Sequence, residues 1–162
     1  MTPKDVIRQV VEFCHQVTRT YVDDLTDNEL LVRPVPGANH IAWQLGHLIS
    51  SDHHMLTQLG RPAPALPAGF AERYTKETAA SDTPAKFHTK AQYLALGDQM
   101  RQAALAAIDA TPEADLSQPG PEAMRAYAPT VTSILTMLGT HRLMHAGQFV
   151  TVRRKLGKPP LF

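Results

Sequence analysis

Several features that define protein classes are missing from the sequence or nearly so. Cys14 is the only cysteine, which excludes an intramolecular disulfide. No run approaches the roughly 20 apolar residues of a membrane-spanning helix, and the opening MTPKDVIRQV carries charges where a signal peptide has an apolar core. An excess of charge is also missing, since 16 Lys and Arg face 15 Asp and Glu, which does not favour binding to nucleic-acid phosphates. These absences predict a cytoplasmic chain without a membrane or nucleic-acid partner.

Histidine, in contrast, is abundant, with eight residues against four Tyr and one Trp. The 162 residues are enough to bury one hydrophobic core without disulfides, so we expect a single domain over residues 1–162. The search for a function therefore starts from the histidines of one folded unit.

Apolar residues recur at spacings of three and four in four stretches, which predicts four helices. Thr2 with Pro3 is a typical N-cap and first helical residue, and Asn39 is the candidate N-cap of the second helix. Gly60 and Gly157 stand where helices commonly end. The predicted helices span about 3–24, 40–59, 91–110 and 131–156.

The connections between these helices are long and rich in proline. Residues 60–83 are predicted to form a long surface connection between helices two and three. No stretch alternates with a period of two, so a β-sheet is not supported. The pattern indicates an all-α four-helix bundle, in which long connections allow neighbouring helices to run parallel.

His141 and His145 are four residues apart on the fourth predicted helix, so their side chains lie on one face and can converge on one metal ion. They share a helical stripe with Ile134 and Leu138, which indicates that both rings point into the bundle. Arg142 occupies the place of the glutamate in the HExxH motif, which excludes a zincin protease. The alternative is that both histidines only hydrogen-bond to core groups.

His47 is the best candidate for a third metal ligand, because it flanks the apolar stripe of the second helix near its middle. Gly46 beside it allows another helix to approach closely. Three histidines would leave at least one coordination position open for water or substrate, as in catalytic zinc sites. The catalytic group would then be bound at the open position of the metal and would not be an amino-acid side chain.

His40, His47 and His54 are seven residues apart, so successive rings are separated by about 10.5 Å along the helix and only one of them can bind a shared ion. His40 stands at the helix start, where a cap or an exposed side chain is expected. His54 is a candidate proton shuttle at one mouth of the site, and the alternative is a solvated pair with His53.

Other residues near the motifs have alternative roles. Gln148, three residues after His145, is a candidate hydrogen-bond partner of a ligand ring or a substrate, or a residue satisfied by backbone. Arg142 is expected at a surface or interface, with pairing to a carboxylate as the alternative. Trp43 is expected to be a core aromatic residue, with a wall of the pocket as the alternative, and Cys14 is expected to be buried and inert.

Residues 39–48, NHIAWQLGHL, and residues 141–148, HRLMHAGQ, together resemble the DinB/YfiT-like superfamily of four-helix-bundle metalloenzymes. The resemblance extends over essentially the whole chain. It implies that His47, His141 and His145 bind one divalent metal, usually nickel or zinc, with water completing the coordination. It also implies an up-down-down-up bundle and a homodimer. Iron, manganese and copper are the alternatives to nickel and zinc.

The same resemblance implies a function in small-molecule chemistry. Related proteins are mostly transferases or isomerases that use a low-molecular-weight thiol such as bacillithiol or mycothiol, and some are similar to hydrolases. An open metal position suits both, because coordination favours the thiolate form of a thiol and lowers the pKa of water. The alternative is a non-catalytic module of the stress response that binds a metal or a small ligand.

Overall fold

The computed structural model describes residues 1–159 and residue 161. Four long helices account for most of this part of the chain, which contains no β-strand beyond a single isolated bridge. The all-α prediction is confirmed, and every helix boundary lies within two residues of the predicted one. The helices are α1 (Pro3–Val22), α2 (Ile41–Gln58), α3 (Lys90–Ala110) and α4 (Val131–Lys155).

Local sequence explains where the helices begin. At α1 the Thr2 side chain accepts a hydrogen bond from the backbone of Asp5, whose carboxylate accepts one from the backbone of Thr2. The prediction of Asn39 as the cap of α2 is wrong, because Nδ1 of His40 accepts the hydrogen bond from the Trp43 backbone at 3.0 Å. His40 is fully buried, so this histidine is a cap rather than a candidate ligand.

The first and last helices run parallel and touch closely. A Cβ atom on Gly139 of α4 would lie 2.9 Å from the Cα of Val11 on α1, so only glycine permits this approach. Towards the other end of both helices, Nη1 of Arg153 donates to the backbone oxygen of Tyr21 at 3.1 Å. The middle of α1 therefore faces the middle of α4, and the C-terminal ends of the two helices also lie side by side.

The two middle helices are also parallel to each other. Ile49 of α2 and Gly97 of α3 border the same cavity, and the segments that follow the two helices meet where Arg61 donates to the Thr111 hydroxyl at 3.1 Å. Lys4, at the start of α1, donates to the backbone of Asp109, at the end of α3, so these two helices are antiparallel. The order is up-down-down-up, as the resemblance implied.

The long connection between α2 and α3 contributes to the core. Phe70 and Tyr74 are 1% and 3% exposed, which shows that the predicted surface connection is wrong at these positions. A Cβ atom on Gly46 would lie 2.2 Å from the ring of Tyr74. Gly46 therefore admits the side chain of a short 3₁₀ turn, Ala71–Tyr74, and not the second helix expected from the sequence.

Among the described residues, none of the helices has the combination of length and apolar character that crossing a lipid bilayer requires.

Candidate metal centre

Three histidines from two helices meet on one side of the bundle. His47 of α2 and His141 and His145 of α4 place one ring nitrogen each within 4.8 Å of the others. The ring centres are 5.2 Å apart for His47 and His141, 5.3 Å for His47 and His145, and 4.9 Å for His141 and His145. The structure thus brings together the three residues that the sequence singled out.

The helices explain this convergence. One turn of α4 separates His141 from His145, and α2 packs beside α4 at the level of both rings. α4 presents two buried stripes. Ile134, Leu138 and His145 belong to one, and the other consists of Leu135, Gly139, Arg142, Ala146, Phe149 and Arg153. The first stripe carries the histidine pair, and the second includes Gly139, which contacts α1.

The cluster is somewhat wider than one tetrahedral metal ion requires. Two nitrogen ligands at about 2.1 Å from a tetrahedral zinc ion are about 3.4 Å apart. The ring nitrogens lie within 4.8 Å of one another, so they are separated by up to about 1.4 Å more than in a tetrahedral site. Rotation of the imidazole rings would bring the nitrogens closer together, so the three side chains can converge on one divalent ion.

A glutamine holds one of the rings in place. Nδ1 of His145 lies 2.8 Å from the side-chain oxygen of Gln44, and the Gln44 amide nitrogen donates to the backbone oxygen of Asn39 at 2.9 Å. The second bond fixes the orientation of the amide, so Nδ1 of His145 is the donor and Nε2 is the nitrogen left free. An imidazole with this outer partner is typical of protein metal sites. Gln44 was not predicted to have a role.

The ring of His47 is supported by an aromatic neighbour. The indole of Trp43 stacks on it with ring centres 5.1 Å apart and an interplanar angle of 5°. Trp43 itself is 5% exposed. It is therefore a core aromatic residue that also supports the candidate centre.

Burial keeps the three histidines uncharged near neutral pH. Burial, together with the neighbouring rings and the Arg142 charge, lowers the pKa of His141 to about 4 and that of His145 to about 3. The pKa of His47 is also lowered, mainly by burial. The neutral imidazole is the form that binds a metal ion.

Arg142 is buried beneath the histidines, and the expectation of a surface or interface position is wrong. Its Nε donates to Oδ2 of Asp52 on α2 at 2.9 Å, and its Nη2 donates to the same oxygen. The two side chains are 4% and 1% exposed. Burial raises the pKa of Asp52 to about 6, although the Arg142 charge opposes the rise. This pair ties α2 to α4 directly beside the histidines.

The remaining predicted residues lie at the edge of the cluster or away from it. His54 borders the cavity next to His47 and His141. Gln148 is exposed on α4, so the place predicted for it beside a ring is taken by Gln44. Cys14 is buried, as expected.

Comparison with known proteins places the chain in a family. The model of the DinB superfamily matches residues 11–149. The chain belongs to the DinB superfamily. The two segments that resemble DinB proteins contain all three clustered histidines, and all three lie within the matched range.

A solved structure supports the same fold. A conserved protein from Enterococcus faecalis, known from a crystal structure, aligns with a TM-score of 0.70 at 18% sequence identity. The alignment covers 98% of this chain and 99% of that chain. At this identity the similarity concerns the fold. No protein with a curated function matches the chain.

Proposed function

We propose that the protein is a metal-dependent enzyme in which His47, His141 and His145 hold one divalent ion. The observation that carries the proposal is the meeting of three neutral imidazoles from two helices beside a cavity of about 430 Å³. Three ligands leave room for a further group on the ion, which is the arrangement of catalytic metal sites. The hydrogen bonds of Gln44 and the stacking of Trp43 hold two of the rings ready for the ion.

The favoured reaction is transfer of a low-molecular-weight thiol, such as bacillithiol or mycothiol, to a small molecule. A divalent ion lowers the pKa of a thiol or water that coordinates it, which supplies a nucleophile near neutral pH. The described residues that line the cavity include no carboxylate that would accept a proton from water. This favours a thiol, which needs no separate base once it is ionised, and hydrolysis is the second candidate reaction.

We propose zinc or nickel as the ion, since imidazole suits both, and a cytoplasmic homodimer as the working form. Iron, manganese and copper are the alternatives for the ion. His54, at the wall of the cavity, is the candidate for moving protons between the cavity and solvent.

The first experiment measures metal content by elemental mass spectrometry on protein without an affinity tag. We expect about one divalent ion per chain in the wild type and none in His47→Ala, His141→Ala or His145→Ala. His53→Ala is the matched control and is expected to keep the ion. Full metal content in any one of the three variants would remove that residue from the set of ligands.

The second experiment tests turnover in the loaded protein. Thiol conjugation and ester hydrolysis are assayed side by side with wild type and His141→Ala, and helical content is checked by circular dichroism. Thiol-dependent product that disappears in the variant is expected. Bound metal without turnover of either kind would favour the non-catalytic alternative, a metal- or ligand-binding module.

A further inference from the structure

The cavity beside the histidines has an unusual lining. His47 and His141 form one side, and the rest is formed by Met55, Met124, Met137, Tyr127, Ser50, Ser51 and His54. None of these residues is an aspartate, a glutamate, a lysine or an arginine. We call this space the methionine cavity. Its volume of about 430 Å³ is within the range of small-molecule pockets.

Half of the methionines of the chain meet in this one place. The sequence has six, of which Met55, Met124 and Met137 border the cavity. Methionine side chains are flexible and polarisable, so they adapt to apolar ligands of irregular shape. Met55 and Met124 are 2% and 1% exposed, which makes them part of the packed core as well as of the wall.

Tyr127 at the entrance and Ser50 in one wall give the methionine cavity a few polar groups. Tyr127 borders the cavity while 61% of the residue is exposed, so it stands where the cavity meets solvent. The hydroxyl oxygen of Ser50 is buried and has no hydrogen-bond partner within residues 1–159 and 161. An unpaired buried hydroxyl is unfavourable, and a hydroxyl or carbonyl group of a ligand would relieve it.

A second cavity, between α1 and α3, provides the contrast. Its volume is about 400 Å³, and its lining includes five charged residues, Glu12, Arg19, Asp98, Arg101 and Arg142. The two cavities are similar in size and differ in charge. In the part of the methionine cavity away from the histidines, a formal charge on a ligand would lose its hydration without gaining an opposite charge.

We propose that the methionine cavity binds an uncharged, largely apolar part of the substrate next to the three histidines. The proposal rests on the proposed function only in calling this ligand a substrate. In the metal-free protein it disfavours small carboxylates and amines, whose charge would be desolvated without an opposite charge in the cavity wall.

Three probes of the same shape and different charge test the proposal: benzyl alcohol, benzoate and benzylamine. The full chain is labelled at the methionine methyl carbons and titrated with each probe, with and without zinc. We expect benzyl alcohol to shift the methyl signals of Met55, Met124 and Met137. Met1, Met100 and Met144, which lie outside the cavity, serve as internal controls and are expected not to shift. Without zinc, benzoate and benzylamine are expected to bind at least about tenfold more weakly.

A pair of variants on α4 gives a second, independent test. Met137→Glu places a carboxylate in the cavity wall, and Met144→Glu places the same group on an exposed part of the helix. Met137→Glu is expected to weaken benzyl alcohol binding about tenfold and to favour benzylamine over it. Met144→Glu is expected to behave as the wild type does.

The outcomes separate this proposal from the metal-dependent function. Binding of benzyl alcohol to protein that takes up none of the candidate divalent ions would leave the cavity assignment standing and remove the metal centre. Metal uptake would leave the metal centre standing, and the cavity assignment alone would be overturned if the metal-free protein preferred benzoate or benzylamine at the three methyl groups, or if benzyl alcohol caused no methyl shift.

Discussion

The side-chain oxygen of Gln44 accepts a hydrogen bond from Nδ1 of His145 across the interface between α2 and α4. The backbone oxygen of Asn39 accepts a hydrogen bond from the amide nitrogen of the same side chain. The chain running into α2 therefore determines which ring nitrogen of His145 carries the proton, and it leaves Nε2 for the proposed ion.

Removal of this amide is expected to weaken metal binding. Gln44→Ala frees the His145 ring to rotate and to change tautomer, and loss of such an outer partner typically costs about 10- to 100-fold in metal affinity. The measurement is isothermal titration with zinc, with circular dichroism to confirm the helical fold. Gln148→Ala, on the exposed side of α4, is the control, and equal weakening in both variants would contradict the assigned role of Gln44.

Two glycine substitutions are expected to have opposite effects on stability. Gly46→Ala forces a methyl group into the ring of Tyr74 and is expected to destabilise the fold by about 1–3 kcal/mol. Gly147→Ala, on α4, meets nothing within 4 Å and is expected to stabilise the helix by up to about 1 kcal/mol. Urea denaturation measures both. A neutral Gly46→Ala would mean that the Tyr74 ring moves aside at little cost.

His15 makes the stability of the metal-free protein depend on pH. Burial, together with the charges of Arg142 and Arg101, lowers the pKa of His15 in the folded state to about 2, against 6.5 as the reference value. The unfolded chain therefore binds a proton at His15 at a pH where the folded chain does not. The contribution of His15 to stability is complete above pH 6.5. Below this pH it decreases by about 1.4 kcal/mol per pH unit, down to the pKa of the folded state.

His15→Leu removes this dependence. Between pH 7 and pH 5 the wild type is expected to lose about 2 kcal/mol more unfolding free energy than the variant, as measured by urea denaturation without metal. Asp52, whose folded pKa is raised to about 6, has the opposite dependence, since its contribution is lost as the pH rises through that value. Asp52 is present in both proteins, so the difference between them isolates His15. Parallel pH profiles would show that folded His15 titrates near its ordinary value.

The buried pair of Arg142 and Asp52 is expected to be strongly coupled. Asp52→Leu leaves the Arg142 charge buried without a partner and is expected to cost about 3–5 kcal/mol of stability. The double variant Arg142→Met/Asp52→Leu removes both charges and is expected to be more stable than Asp52→Leu alone. A double-mutant cycle by urea denaturation measures the coupling, and additive effects would contradict it.

The sequence was sufficient to predict the helices and the histidine cluster because both depend on local spacing. Apolar periodicity placed α1 to α4 within two residues, and the spacing of His141 and His145 fixed their common face. His47 could be chosen because it lies near the middle of another predicted helix, and a bundle brings the middles of facing helices close together.

Contacts between distant segments were beyond the sequence patterns. Arg142 follows His141 directly, and an arginine at such a position is usually exposed. Its burial depends on Asp52, which lies 90 residues earlier in the chain. Tyr74 comes from a proline-rich connection without helical periodicity, so nothing local indicated that its ring would fill the space beside Gly46.

Gln44 and Gln148 show the same limit at the candidate site. Both are near histidines along a helix, and spacing alone favoured Gln148, three residues from His145. Because the second buried stripe of α4 faces α1, Gln148 lies on the solvent side of the helix. Only the packing of α2 against α4 reveals that Gln44 reaches the ring.

The histidine cluster joins parts of the chain that are far apart in sequence, since His47 belongs to α2 and His141 and His145 belong to α4. An ion bound there would act as a reversible crosslink between the second helix and the last one. Such a crosslink stabilises the fold in proportion to how tightly the ion is held, by about 2.7 kcal/mol when the free ion is at 100 times its Kd. The melting temperature would then rise with the concentration of the bound ion. A comparison of the rise between ions at equal concentration would rank the candidate metals by affinity.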